Sequence, residues 1–139
     1  SASNDAAHLL AETRQAMLLA RVGRSLEPFG CDHGPSDMSA RDALRLATRG
    51  SARVLGRDDI GQLAVGKAAD LAIYDLRTLD MAGCAVHDPV AALVFGHSAI
   101  TAWTIVNGKV VADHGQLTTV DLGPLVERHN GFARQLVQA

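Results

Sequence analysis

The chain has two cysteines in 139 residues, Cys31 and Cys84, and no Cys-x-x-Cys pair. That absence excludes a disulfide framework and a redox dithiol, so a reduced, cytoplasmic protein with two free thiols is expected. No apolar run approaches the roughly 20 residues of a membrane span, and no secretory leader is recognisable. Lys and Arg form no cluster, and a net charge of −2 with a pI near 6.3 gives no electrostatic case for nucleic acid or an anionic membrane. Neither is an expected partner. The six histidines include no His-x-His pair, and Ser or Cys nucleophile motifs, a Gly-rich phosphate loop and a dinucleotide fingerprint are all missing. Repeats and low-complexity tracts are missing too. What is present is apolar: 47% of the residues are hydrophobic, enough for one domain with a core.

Ser3, Asn4 or Asp5 can cap a first helix running to about Val22, with Leu9, Leu10, Thr13, Ala16, Met17 and Ala20 on one broad face. Leu18 and Leu19 point elsewhere, so this helix wants neighbours on more than one side. Pro28, Gly30, Gly34 and Pro35 make Ser25 to Asp37 a loop. Within it, Cys31-Asp32-His33 could hold one edge of a metal site, but no further ligands stand at suitable spacing. Ser39 and Asp42 form a capping-box start for a helix to Thr48 or Arg49, whose Arg41, Arg45 and Arg49 read as a solvated face rather than an anion patch. Gly50 is expected to break that helix, Ser51 to restart it, and Gly56 to end it in the left-handed conformation.

Asp59 to Asp75 carries the most specific pattern. Gly61 and Gly66 supply positive φ around Leu63 to Val65, and from Ala68 the chain runs apolar to Tyr74, as a strand covered on both faces would. Asp70 interrupts that run and should be hydrogen-bonded to backbone N–H groups of the preceding turn. His87-Asp88-Pro89 favours turn initiation before an apolar segment, Val90 to Phe95; packing is favoured there over an acid–base pair. Asn107-Gly108 predicts a type I′ hairpin with Ile105 opposite Val110 and Trp103 opposite Ala112, placing Trp103 in the core. A further short strand is expected within Gln116 to Val120, and His97 and His114 are expected at the surface. Asp121 and Pro124 open a last helix whose Leu122, Leu125, Val126, Phe132, Leu136 and Val137 form an apolar stripe expected to pack into the core.

Three segments together resemble the C-terminal part of the amidohydrolase superfamily: Ala47-Thr48-x-Gly50-x-Ala52-x-x-Leu55-Gly56, then Ile60-Gly61-x-Leu63-x-x-Gly66-Lys67-x-Ala69-Asp70-Leu71, then Ile105 to Val111. Ser1 to Asp5 and His87 to Phe95 are most similar to the branch of aminohydrolases acting on triazine and purine rings. The resemblance implies an α/β parent enzyme in which this chain reads as α+β: the last helices of a (β/α)8 barrel (1–57), a segment of a small composite β-sandwich domain (58–120) and a C-terminal helix packing on the rest (121–139).

The resemblance also implies hydrolytic deamination of a ring such as 8-oxoguanine or a hydroxylated s-triazine, with zinc or another divalent metal in the intact enzyme and none bound by this segment alone. The family's metal ligands are a His-x-His pair, later histidines and an Asp that would fall just before Ser1; none is in this chain, and Asp5 is not the counterpart of that Asp. Ser1, Ser3 and Asn4 match the loop after it and are the substrate-binding candidates, with helix capping the competing role. No catalytic or metal residue is assigned here. A start at Ser1, without an initiator Met, suggests a fragment or processed piece of a longer polypeptide. The expected partners are the remainder of the barrel, a small heterocyclic substrate and further copies of the enzyme in a homo-oligomer. A stand-alone, non-catalytic α+β interaction module is the alternative.

Overall fold

The computed structural model describes residues 8–26, 38–96 and 100–138. The chain divides into two compact units, one of residues Ser1–Ala68 with Leu76–Ala99, the other of Ala69–Asp75 with Ile100–Ala139.

The first unit is helical. Helix α1 spans Leu9–Ser25, three residues beyond the expected end, and its N-cap is His8, whose Nδ1 accepts from the Ala11 N–H at 3.2 Å. The proposed caps at Ser3, Asn4 and Asp5 lie outside the described residues. Thr13 and Met17 are the buried residues of α1; Thr13 satisfies its hydroxyl on the Leu9 carbonyl at 2.7 Å. Arg21 reaches across to the Met38 carbonyl at 3.0 Å and lies 5.5 Å from the Phe95 ring centre, joining a hydrogen bond to a cation–π contact. Met17, Ala40, Ala43 and Val94 form the core, with Met38, Leu44 and Ala91 partly buried against it. The two alanines matter because they let backbones approach where a larger side chain would hold them apart.

Helix α2, Ala40–Arg45, opens on the expected capping box: the Asp42 N–H donates to Ser39 Oγ at 3.2 Å and the Ser39 N–H to Asp42 Oδ2 at 3.3 Å. Gly50 does not break the helical path. The backbone instead widens into a π-helical turn, Leu46–Gly50, in which the Ser51 N–H bonds back to the Leu46 carbonyl, and continues as α3, Ser51–Val54. Gly50 keeps ordinary helical angles, φ −61° and ψ −50°. Packing overrides its propensity: a Cβ there would lie 3.2 Å from Leu46 Cδ1, so the residue without one fits the turn. The helix ends as expected at Gly56, φ +67°, where the Gly56 and Arg57 N–H groups donate to the Arg53 and Ala52 carbonyls in a Schellman motif.

The loop after Gly56 is tied down at three points. Arg57 pairs with both oxygens of Asp59 at 2.8 and 2.6 Å, the Ala68 N–H donates to the Asp59 carbonyl at 2.8 Å, and Lys67 Nζ donates to the Asp58 carbonyl. The Arg57 contact holds the Asp59 carboxyl below its ordinary value. Gly61 and Gly66 both have positive φ, +82° and +83°, yet they differ. A Cβ on Gly61 would come within 2.9 Å of both Ala52 Cβ and the Thr48 carbonyl oxygen, whereas Gly66 has open space. Gly61 is therefore a point of close backbone approach onto the π turn; Gly66 only turns the chain.

Helix α4 spans Cys84–His87 and α5 spans Pro89–Phe95. Asp88 caps α5, accepting from Val90 and Ala91 N–H at 2.9 and 3.1 Å, with Pro89 in the first turn. Arg41 Nη2 joins the same oxygen of Asp88 at 3.1 Å.

The second unit is a four-stranded antiparallel sheet in the order β1 (Leu71–Ile73), β2 (Trp103–Val106), β3 (Lys109–Asp113), β4 (Gln116–Leu117). Asn107 and Gly108, φ 49° and 78°, make the expected two-residue turn, and Ile105 faces Val110. Trp103, however, faces Asp113, not Ala112, because a bulge puts Val111 in excess on β3. The indole is not in the core either: Trp103 is 43% exposed and meets the His114 ring edge-on at 5.5 Å. A second tight turn, His114-Gly115 with φ 45° and 79°, leads into β4. Its histidine is the less usual first residue for such a turn.

Two further expectations are corrected. β1 is not covered on both faces, since Leu71 is half-buried while Ala72 and Ile73 are exposed. Helix α6, Leu122–Gln138, is capped by Asp121 as expected, with the Gly123 N–H at 3.1 Å, but its stripe is not core: Leu122 and Leu125 are each 39% exposed and Leu136 80%. In both cases the apolar residues stand where the period puts them, but no described element covers them.

Gly61→Ala is expected to destabilise the first unit by about 2–4 kcal/mol, from overpacking added to φ strain, and Gly66→Ala by about 1 kcal/mol from strain alone; chemical denaturation of the two variants checks the difference. The Ser39 hydroxyl, as the largest cause, holds the Asp42 carboxyl below 3.8. The folded protein thus binds that proton more weakly than the unfolded chain, so the stabilisation is present above pH 3.8 and lost as pH falls through the lower folded value. Asp42→Asn should flatten this part of the acid dependence, measured as the urea midpoint against pH.

Candidate functional site

Ser1, Ser3 and Asn4, the residues read as substrate-binding, lie outside the described residues, as do Asp5 and the Cys31-Asp32-His33 stretch. Among the described residues, no group of three or more His, Cys, Asp and Glu side chains could hold a metal ion. The described histidines are dispersed, and His33 and His97 lie outside the described residues. His8 caps α1, His87 ends α4 and is exposed, and His114 pairs with the Asp113 carboxylate at 2.5 Å on the exposed second turn. Asp88 does not form an acid–base pair with His87: it commits one oxygen to two backbone N–H groups and to Arg41.

Among the described residues two constellations stand out. The first is a concavity of about 520 Å³ in the helical unit, walled by Leu10, Leu18, Leu19, Val22, Leu93 and Val94, with His8, Arg14 and Gln15 as its main polar members. A small-molecule site needs several polar groups converging on one point. Here the polar residues all lie along one helix, and the apolar wall suits the packing of further chain. Leu18 and Leu19, which the helical periodicity turned away from the main face, line this second face, so α1 is apolar on more than one side as expected.

The second constellation joins two of the sequence motifs. Asp70 Oδ1 accepts the Asn107 N–H at 2.8 Å, and the Ala69 carbonyl accepts the Gly108 N–H at 3.0 Å. The aspartate does satisfy a backbone donor, but one of the hairpin turn 37 residues on rather than of the preceding turn. Sequence reasoning identified both motifs but not that they bind each other; an aspartate in an apolar run and an Asn-Gly turn with free N–H groups were the available signals. Among the described residues no helix is long and apolar enough to cross a membrane.

Residues 1–111 match the family model described as the amidohydrolase family. Among curated proteins, the chain is 39% identical over 137 residues to an 8-oxoguanine deaminase of Pseudomonas aeruginosa, covering 99% of this chain and 28% of that protein. It is 36% identical over 140 residues to a hydroxydechloroatrazine ethylaminohydrolase of a Pseudomonas species, covering 98% and 27%. Among solved structures, the zinc complex of the atrazine chlorohydrolase TrzN from Arthrobacter aurescens superposes with a TM-score of 0.75 at 37% identity, over 88% of this chain and 25% of that one. An adenosine deaminase from Xanthomonas campestris with bound zinc superposes with a TM-score of 0.82 at 26% identity, over 94% and 28%. The chain thus spans less than a third of the length of these relatives. Its match to the family model covers most of its residues and includes the motifs that seat the π turn and clasp the hairpin: the chain belongs to the amidohydrolase family.

Proposed function

We propose that the polypeptide containing this chain is a metal-dependent aminohydrolase that cleaves the C–N bond of an exocyclic amine on a purine or s-triazine ring, 8-oxoguanine being the leading candidate substrate. The observation that carries this reading is the 39% identity to an 8-oxoguanine deaminase across 99% of the chain, with a triazine-ring aminohydrolase close behind. Zinc is the proposed metal, because two structural neighbours were solved with zinc bound. Its ligands would come from elsewhere in the polypeptide, since the described residues hold no ligating set.

In this reading residues 1–57 supply the last outer helices of the barrel, 58–120 a segment of the small β-sandwich domain, and 121–139 a closing helix. The apolar concavity on α1 and α5 is where the remaining barrel would pack, a role that suits leucines on two sides of one helix. Ser1, Ser3 and Asn4 would then lie beside the reaction centre, hydrogen-bonding a ring substituent or steadying a neighbouring metal-binding carboxylate. A cytoplasmic homo-oligomer is the proposed assembly. The competing reading, a self-standing interaction module, draws on the exposed stripe of α6.

The full-length protein, loaded with zinc, should release ammonia from 8-oxoguanine or an amino-triazine and lose that activity to a chelator. No metal at full activity, or no turnover of any purine or triazine amine, would remove the reading. The 139-residue chain alone should be inactive and should bind ANS through its uncovered apolar faces; a cooperative monomeric melt without dye binding would favour the module instead.

A further inference from the structure

We propose that Asn107 is a site of spontaneous covalent modification, deamidation through a succinimide, that the clasp from Ala69 and Asp70 holds in check and whose product releases β1 from the sheet. The sequence places Gly108 after Asn107, so no side chain shields the next backbone nitrogen from the asparagine amide. In the reaction that nitrogen gives its proton to a solvent base and bonds to Asn107 Cγ. The Cγ–Nδ2 bond then breaks, and Nδ2 takes up a proton and leaves as ammonia. Water next opens the five-membered ring, at Cγ to give aspartate or at the Asn107 backbone carbonyl to give isoaspartate.

Both turn residues are exposed, so water and base have access. The nucleophile does not have freedom. The Gly108 N–H is held on the Ala69 carbonyl at 3.0 Å and the Asn107 N–H on Asp70 Oδ1 at 2.8 Å, while the type I′ turn fixes the backbone at φ 49° and 78°. Attack therefore requires the turn to come away from β1, a local opening rather than global unfolding.

The product works against reclosure. Aspartate at 107 sets a second carboxylate on the residue whose own N–H holds Asp70, and like charges at such range repel. Isoaspartate inserts an extra backbone carbon between the Ile105↔Val110 and Val106↔Lys109 pairs and the turn that sets their register. Either outcome loosens the edge strand, so the clasp, once opened and the residue converted, closes less readily than before.

The test incubates the full-length protein in mildly alkaline buffer, reading the gain in mass as amide becomes acid at Asn107 by peptide mass spectrometry, with isoaspartate assayed separately. Deamidation should be slower than in the free peptide of residues 105–111, on the order of tenfold or more. Asp70→Ala should move the rate towards that of the peptide, and Asp70→Asn, which keeps an acceptor oxygen, should leave it slow. Equal rates in protein and peptide, or in wild type and Asp70→Ala, would overturn the proposal. Should Asp70→Ala unfold, hydrogen exchange decides: the Gly108 amide must be protected in the wild type, and Asn107→Asp must expose it where the neutral Asn107→Gly does not. An unprotected Gly108 amide, or protection unchanged in Asn107→Asp, refutes the idea.

Discussion

The second unit depends on a carboxylate and a carbonyl at the edge of a strand closing onto two backbone N–H groups of a tight turn. A type I′ turn points those donors outward, where water would otherwise take them, and β1 is only three residues long. So short a strand has little ladder of its own, which makes the pair of contacts at Ala69 and Asp70 the part that fixes where it lies. The Ala-Asp-Leu stretch and the Asn-Gly hairpin, two of the three segments that mark the family, are thus the two halves of one contact.

What could be read from the sequence was what neighbours in sequence decide. The Ser39–Asp42 capping box, the left-handed Gly56, the Asp121 cap, the Asp88-Pro89 start and the Asn107-Gly108 turn all arise from local hydrogen bonding and φ preferences, and all are present. The misses are tertiary. Gly50 looks like a breaker until the fit of Leu46 against it is known, and Trp103 looks paired with Ala112 until Val111 slips the ladder by one residue. Asp70 announces a need for donors without saying whose. The proposed site residues Ser1, Ser3 and Asn4 rest on family likeness alone, and no described geometry bears on them.

The apolar content is also unevenly spent. Among the described residues, fully buried positions are mostly small, with Met17, Met81 and Val94 the largest, while Leu63 is 81% exposed, Leu136 80% and Leu19 61%. A chain nearly half apolar whose described residues shelter so few large side chains carries faces suited to further packing. That distribution supports the proposed place of these helices around a larger barrel, where α1 would be clad on two sides.

The π turn at Leu46–Gly50 sets a rule about length. It accommodates one more residue per turn than the helix on either side, and the backbone of Gly61 rests against Thr48 and Ala52 across it. The number of residues in the turn sets where Thr48 and Ala52 meet Gly61. Deleting a single residue within Leu46–Gly50 would tighten the coil, rotate Ala52 away and leave the glycine without a seat.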